Sequence, residues 1–137
     1  MKRYSSAVAS ILVLTFFSLA HGAEFKFEIF QDAGKDYRWR LKNADGKVVA
    51  SPGQGYSSKK YCEESVEKFK NNVNSDKVKV EFYADAGKSI RWRMIASNGQ
   101  TVASSMFGYA SEAEAKKAFD EIKKQVKEAK VEVVEKK

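Results

Sequence analysis

Residues 25–51 read FKFEIFQDAGKDYRWRLKNADGKVVAS, and residues 78–104 read VKVEFYADAGKSIRWRMIASNGQTVAS. The two stretches align without a gap at an offset of 53 residues, which pairs Trp39 with Trp92, Asp32-Ala33-Gly34-Lys35 with Asp85-Ala86-Gly87-Lys88, and Gly46 with Gly99. The same offset carries Val49-Ala50-Ser51 onto Val102-Ala103-Ser104 and Gly55-Tyr56 onto Gly108-Tyr109. Self-similarity at one fixed period marks a duplicated structural unit. A unit of about 50 residues buries too little apolar surface to be stable alone, so the two copies are expected to share a core.

Each copy carries the same order of elements. Phe25, Phe27 and Ile29 alternate with Lys26, Glu28 and Phe30, and Val78, Val80 and Phe82 repeat the pattern, so a half-buried strand opens each unit. The Gly of Asp-Ala-Gly-Lys is expected to take a positive φ and reverse the chain. A second strand follows, with Tyr37, Trp39 and Leu41 on one face and Arg38, Arg40 and Lys42 on the other; its repeat is Ile90, Trp92 and Met94 against Arg91, Arg93 and Ile95. Asp45-Gly46 and Asn98-Gly99 are strong hairpin signals leading to a short third strand around 48–51 and 101–104. The period then becomes helical. Cys62, Val66, Phe69 and Val73, and in the second copy Ala115, Phe119, Ile122 and Val126, each fall on one face of a helix. Ser58 and Ser111 are the expected N-caps, Ser111 with Glu114 forming a capping box. The helices are expected to end near Asn72 and Glu128, with a closing strand at 131–134.

Upstream of the repeat, Met1-Lys2-Arg3 precedes an apolar run from Ala7 to Ala20 and the small residues Gly22 and Ala23. This reads as a secretory signal peptide over 1–22, with Ala20 and Gly22 at the −3 and −1 positions of a cut before Ala23. The run is shorter than the roughly 20 residues of a membrane-spanning helix, and there is no Cys at the cut for acylation, so the mature chain is expected to be soluble and periplasmic or secreted. Cleavage removes Lys2 and Arg3, taking the net charge from +7 to +5, and removes the one histidine, His21. A mature chain without imidazole lacks the usual proton shuttle of neutral pH, and one Cys supplies neither a disulfide nor a zinc site. No catalytic residues, cofactor or metal are therefore expected.

The landmarks D-A-G-K-x-x-R-W-R, N/D-G, V-A-S and G-Y-x-S, present twice in order, resemble the YegP-like family of small bacterial proteins (domain of unknown function 1508). The resemblance runs from about Phe25 to Val126. It implies an α+β fold in which two tandem β-β-β-α repeats pack as a single pseudo-two-fold domain, with the strands that follow the helices, beginning at Val78 and Val131, open to exchange. The chain then divides into a signal peptide at 1–22, a first repeat at 23–76, and a second repeat at 77–137 with a closing strand and charged tail. The family implies no activity or catalytic residue. The signal peptide sets this chain apart from its commonest members.

Alternation places Arg38, Arg40, Arg91 and Arg93 on the face opposite the tryptophans, where four guanidiniums are able to grip carboxylate, sulfate or phosphate. The competing reading is a structural ladder, since Glu28 and Glu81 share that face on the neighbouring strands. Tyr56 and Tyr109 are candidate aromatic neighbours of the arginines. The Gly-Tyr loops also lead into helix N-termini, where capping alone is expected because the P-loop pattern is absent. Ser57 and Lys60 form an S-x-x-K spacing without the rest of that site. Cys62 lies on the apolar helix face, where burial makes it inert.

From the residues, the leading expectation is an exported, non-enzymatic binding module, monomeric through its internal pseudo-symmetry, whose arginine face contacts an anionic envelope component or an acidic protein. The alternative is a structural or interaction protein that works by sheet-edge pairing or strand exchange. Nucleic acid is not an expected partner outside the cytoplasm.

Overall fold

The computed structural model describes residues 24–134; the expected signal peptide at 1–22 and its expected cleavage site lie outside these residues, as does the end of the charged tail. The first unit has β1 (Lys26–Gln31), β2 (Tyr37–Lys42), β3 (Val48–Ala50) and α1 (Lys59–Asn72). The second has β4 (Lys79–Ala84), β5 (Ile90–Ile95), β6 (Thr101–Ser104) and α2 (Glu112–Gln125). A 3-10 turn at Val126–Glu128 and β7 (Lys130–Val133) close the chain. The period-2 and helical stretches thus form the elements expected of them, and Ser58 and Ser111 cap the helices by accepting the N–H of Tyr61 and Glu114 at 3.1 and 3.2 Å.

Both β-meanders pair in the same register. β1 runs antiparallel to β2 with Ile29 opposite Trp39, and β4 runs antiparallel to β5 with Phe82 opposite Trp92. The hairpins turn differently from expectation in one respect. Positive φ falls at Lys35 and Lys88, both +70°, not at Gly34 or Gly87. The reason is visible in the hydrogen bonds: Lys35 N–H reaches the Asp32 carbonyl, and Asp32 N–H reaches the Asp36 carbonyl, so the left-handed residue is the fourth of the turn. The β2–β3 turn has the same geometry, with Asn43 in place of Asp32 and Gly46, at φ +86°, in place of Lys35. Glycine occupies the left-handed position there without steric cost; at the first turn lysine holds it, assisted by the Asp32 carboxylate accepting the Asp36 N–H at 2.9 Å.

α1 packs on β1 and β2, and α2 on β4 and β5. The helix faces read from the sequence are the buried ones: Cys62, Val66 and Phe69 in α1, Ala115, Phe119 and Ile122 in α2. A single apolar cluster runs through both units, from Phe25 to Ala129, with Trp39 and Trp92 almost wholly enclosed. The two units also meet edge to edge, where the backbones of Ser51 and Ser104 exchange hydrogen bonds of 3.1 and 2.9 Å.

Among the described residues strand exchange occurs once. β7, which follows the second unit's helix, crosses to the first unit and lies parallel to β1, giving the order β3-β2-β1-β7. Lys70, in the last turn of α1, holds this crossing by donating to the Ala129 carbonyl at 3.0 Å. β4, which follows the first unit's helix and was the other strand expected to exchange, stays in its own unit with the order β4-β5-β6.

Candidate functional site

The Arg-Trp-Arg strands direct their tryptophans into the core and their arginines outward, as the alternation requires. Each guanidinium is met by a carboxylate. Arg40 Nε donates to Glu28 at 2.8 Å and Arg93 Nε to Glu81 at 2.9 Å, across the β1–β2 and β4–β5 ladders. Arg38 Nε donates to Asp32 and Arg91 Nε to Asp85, both at 2.7 Å. The sequence indicated the glutamates as partners but not the aspartates, because Asp32 and Asp85 were legible as turn residues. Their Oδ1 does serve the turn, accepting the N–H of Asp36 or Ser89, while Oδ2 accepts from the arginine. Arg40 also lies over the Phe30 ring at 4.4 Å and Arg93 over Tyr83 at 4.7 Å.

The environment of the acids explains their ionisation. Hydrogen bonds from Arg38 and Arg91 hold the Asp32 and Asp85 carboxyls below their ordinary range. Burial works against the Glu28 charge, but Arg40 and Lys42 outweigh it and this carboxyl is lowered too. Groups whose folded pKa is depressed stabilise the fold above their unfolded pKa and lose that contribution as pH falls through the folded value. Stability is therefore expected to decline as the pH falls below the ordinary carboxylate range, at about pH 4. Thermal melts across that range are expected to show a shallower acid slope in an Arg38→Gln, Arg91→Gln variant; an unchanged slope would contradict the pairing.

The two tyrosines of the candidate set lie beside the first residue of each arginine strand. Tyr56 and Tyr109 pair through their backbones with Tyr37 and Ile90, at the start of β2 and β5, and both are half-buried. The Tyr56 hydroxyl meets Ser65 Oγ at 2.8 Å, and the same oxygen accepts from Trp39 Nε1 at 2.9 Å. In the second unit Ala118 stands at the Ser65 position, and Trp92 Nε1 is buried without a partner. Burial raises the Tyr109 phenol above its ordinary value. A buried donor without a partner costs about 1–3 kcal/mol. Ser65→Ala is therefore expected to destabilise by that amount, whereas Ala118→Ser gains about 1 kcal/mol by supplying the missing acceptor; denaturant titration checks both, and equal effects of one sign would contradict the inference.

Cys62 is a free, wholly buried thiol, pushed up to about 11 by burial and by the charge of Glu63. Ser57 and Lys60 flank the α1 N-cap, where Ser58 takes the capping role. Among the described residues no His, Cys, Asp and Glu cluster in a way that holds a metal ion, and no helix is long and apolar enough to cross a membrane.

A feature that pattern reading missed is the difference between the two sheet edges. β7 covers the outer edge of β1, with Val134 N–H donating to the Ile29 carbonyl at 2.8 Å and Lys26 Nζ meeting Glu132 at 3.0 Å. Phe27, Glu28 and Ile29 are consequently buried. β4 has β5 on one side and, among the described residues, no strand on the other. Val80, Glu81 and Phe82 remain half-exposed, and the Glu81 side chain keeps 32% of its surface where Glu28 keeps 7%. The signal was present in the sequence: 130–133 reads KVEV and 77–80 reads KVKV at the repeat offset, so β7 repeats the start of an opening strand.

Comparison with known proteins agrees with the duplication. The chain is similar to a UPF0339 protein in the ptx operon 5′ region of Stutzerimonas stutzeri, 33% identical over 105 residues that make up 77% of this chain and 92% of that one. A UPF0339 protein of Neisseria meningitidis serogroup B is 43% identical over 53 residues, 39% of this chain and 93% of that one, the span of one unit. The solution structure of the protein of unknown function yegP from E. coli shares the fold with a TM-score of 0.71 at 18% identity, covering 83% of this chain and 96% of that one. A UPF0339 protein of Shewanella oneidensis does so with a TM-score of 0.70 at 15% identity, covering 82% and 92%. The family model described as a domain of unknown function, DUF1508, matches residues 32–79 and again residues 85–132, each match beginning at the Asp-Ala-Gly-Lys turn. This chain therefore belongs to the DUF1508 family and carries its domain twice.

Proposed function

We propose that this protein is an exported, non-enzymatic interaction module that binds an extended segment of another polypeptide along the free edge of β4. The observation that carries this reading is the unequal treatment of two equivalent edges: β1 has a parallel partner strand and β4 has none among the described residues. The residues that grip β7 recur on β4. Lys79, Val80, Glu81 and Phe82 stand where Lys26, Phe27, Glu28 and Ile29 stand on β1. A segment with β-branched residues alternating with an acid, running parallel to β4, matches that edge as β7 matches β1, its acid facing Lys79 as Glu132 faces Lys26. Main-chain hydrogen bonds supply affinity in such strand addition, and the alternating side chains supply selectivity. Export rests on the segment at 1–22, and the non-enzymatic reading on the absence of histidine after it. The arginine face is not the surface proposed, because its four guanidiniums are already held by carboxylates.

A synthetic peptide of sequence AKVEVV, copied from residues 129–134, is the probe. Titrated into isotopically labelled protein, it is expected to shift the amides of β4. A Val80→Pro variant, which removes an edge N–H in a strand that tolerates proline, is expected to keep the fold and lose the shifts. Shifts absent from β4, or unaffected by Val80→Pro, would overturn the reading.

A further inference from the structure

The repeat creates two equivalent grooves, each between one unit's Gly-Tyr loop and helix and the other unit's hairpin, and the two have different fates. In one, Phe107 fills the space: its ring packs on Tyr109 with centroids 5.0 Å apart, and Lys47 of the first unit's β2–β3 hairpin lies 5.9 Å from it. In the other, the position of Phe107 is taken by Gln54, and the position of Lys47 by Gln100. That groove is open, with a volume of about 720 Å³. This is the size of a small-molecule site. A smaller hollow of about 370 Å³ at the end of α1, beside Lys127, has no aromatic side chain in its wall.

The chemistry of the open groove is specific. Four amide side chains, Gln54, Asn72, Asn98 and Gln100, line it from both units. An amide both donates and accepts, which is the pattern a ligand hydroxyl presents in return. The charges are balanced, one acid in Glu64 and one base in Lys68, so the wall selects no strong charge. Tyr61, at 55% exposure one of the most exposed large apolar side chains among the described residues, offers a ring for the C–H face of a ligand, and the Tyr56–Ser65 pair forms the wall behind it. Amides for hydroxyls beside an aromatic platform, without net charge, suit a polyhydroxylated ring.

We infer that the groove between the 53–57 loop, α1 and the β5–β6 hairpin is a binding site for a neutral oligosaccharide. None of its lining residues belongs to β4, so this site and strand addition are separate properties, and either can fail without the other.

The test follows the asymmetry. Maltotriose and tri-N-acetylchitotriose are titrated separately into labelled protein to about 10 mM, a range that reveals binding as weak as millimolar. At least one sugar is expected to shift Gln54, Tyr61, Asn98 and Gln100, and the one that binds tells whether the amides read plain hydroxyls or acetamido groups. Gln54→Phe, which copies the plug already present at Phe107, is expected to abolish binding. Phe107→Gln is expected to open the second groove without adding a second set of shifts, because Glu114, Asp45 and Lys47 stand there in place of Tyr61, Asn98 and Gln100. Tyr61→Ala, at an exposed position, is expected to weaken binding about tenfold and keeps the test independent of how Gln54→Phe folds. Failure of both sugars to move the lining residues, or binding unchanged in Gln54→Phe and Tyr61→Ala, would overturn the inference.

Discussion

Gly108→Ala is expected to destabilise the protein by about 3–5 kcal/mol, a large share of what holds a domain of this size together. A Cβ at position 108 would stand 2.2 Å from Ser89 Cβ, far inside the contact distance of two carbons. The loop and the strand must separate there, and what joins them is a backbone pair, Ile90 and Tyr109, with hydrogen bonds of 2.8 and 2.7 Å. The cost therefore combines overpacking, typically about 1–3 kcal/mol, with the loss of two backbone hydrogen bonds. The equivalent Gly55→Ala meets Asp36 Cβ at 2.7 Å and is expected to cost less. Ser89→Gly removes the colliding carbon, so adding it to Gly108→Ala is expected to recover most of the loss. Denaturant unfolding of the three variants checks the order; a mild Gly108→Ala, or no recovery with Ser89→Gly, would show that the loop does not sit against β5 as described.

Phe69→Ala is expected to cost about 3–5 kcal/mol, the range for emptying a buried aromatic site. The ring is wholly enclosed and lies 5.2 Å from Trp39 and 6.0 Å from Phe27. The second unit fills the same space by another route. Phe119, at the position of Val66, packs on Trp92 at 4.9 Å, and Ile122 takes the position of Phe69. The two helices thus carry one aromatic and one aliphatic residue in opposite order. Phe69→Ile alone is expected to cost about 1–2 kcal/mol, and Val66→Phe added to it should restore much of that, because the pair then copies the second unit's core. Thermal unfolding of the single and double variants measures the coupling. Strictly additive losses would mean that the two cores are not interchangeable.

Much of the fold was legible because the repeat states each element twice. Where Phe27 and Val80, Trp39 and Trp92, or Val66 and Phe119 occupy the same position, two sequences vote for one buried face, and chance patterns drop out. The turns were legible in place but not in detail. Glycine at 34 suggested the left-handed position, whereas the backbone puts Lys35 there, since an Asp carboxylate binding the N–H of Asp36 shifts where the bend falls. The arginine face was legible as a ladder only in its glutamate half. Asp32 and Asp85 joined it through three-dimensional proximity across a turn, which alternation along a strand does not encode.

The edge of β4 and the open groove were less visible for a common reason. Both depend on which of two equivalent places the chain leaves unfilled, and that is settled by topology. Among the described residues one closing strand serves two opening strands, so β1 is covered and β4 is not. One phenylalanine serves two grooves, so only one is plugged. Gln54 against Phe107 at the repeat offset is visible in the sequence as a difference between the copies; the shape of the groove gives it a meaning.

Amide hydrogen exchange resolved by residue tests the open edge most directly. The Ile29 carbonyl faces β7, so in an alternating backbone the N–H and C=O groups of Phe27 and Ile29 point to the covered edge, and those of Val80 and Phe82 to the free one. The amides of Phe27 and Ile29 are expected to exchange only when the whole domain unfolds, while Val80 and Phe82 exchange freely and become protected when the AKVEVV peptide is added. Equal protection of both pairs in the protein alone would mean that the edge of β4 is already closed, and strand addition there would have to be abandoned.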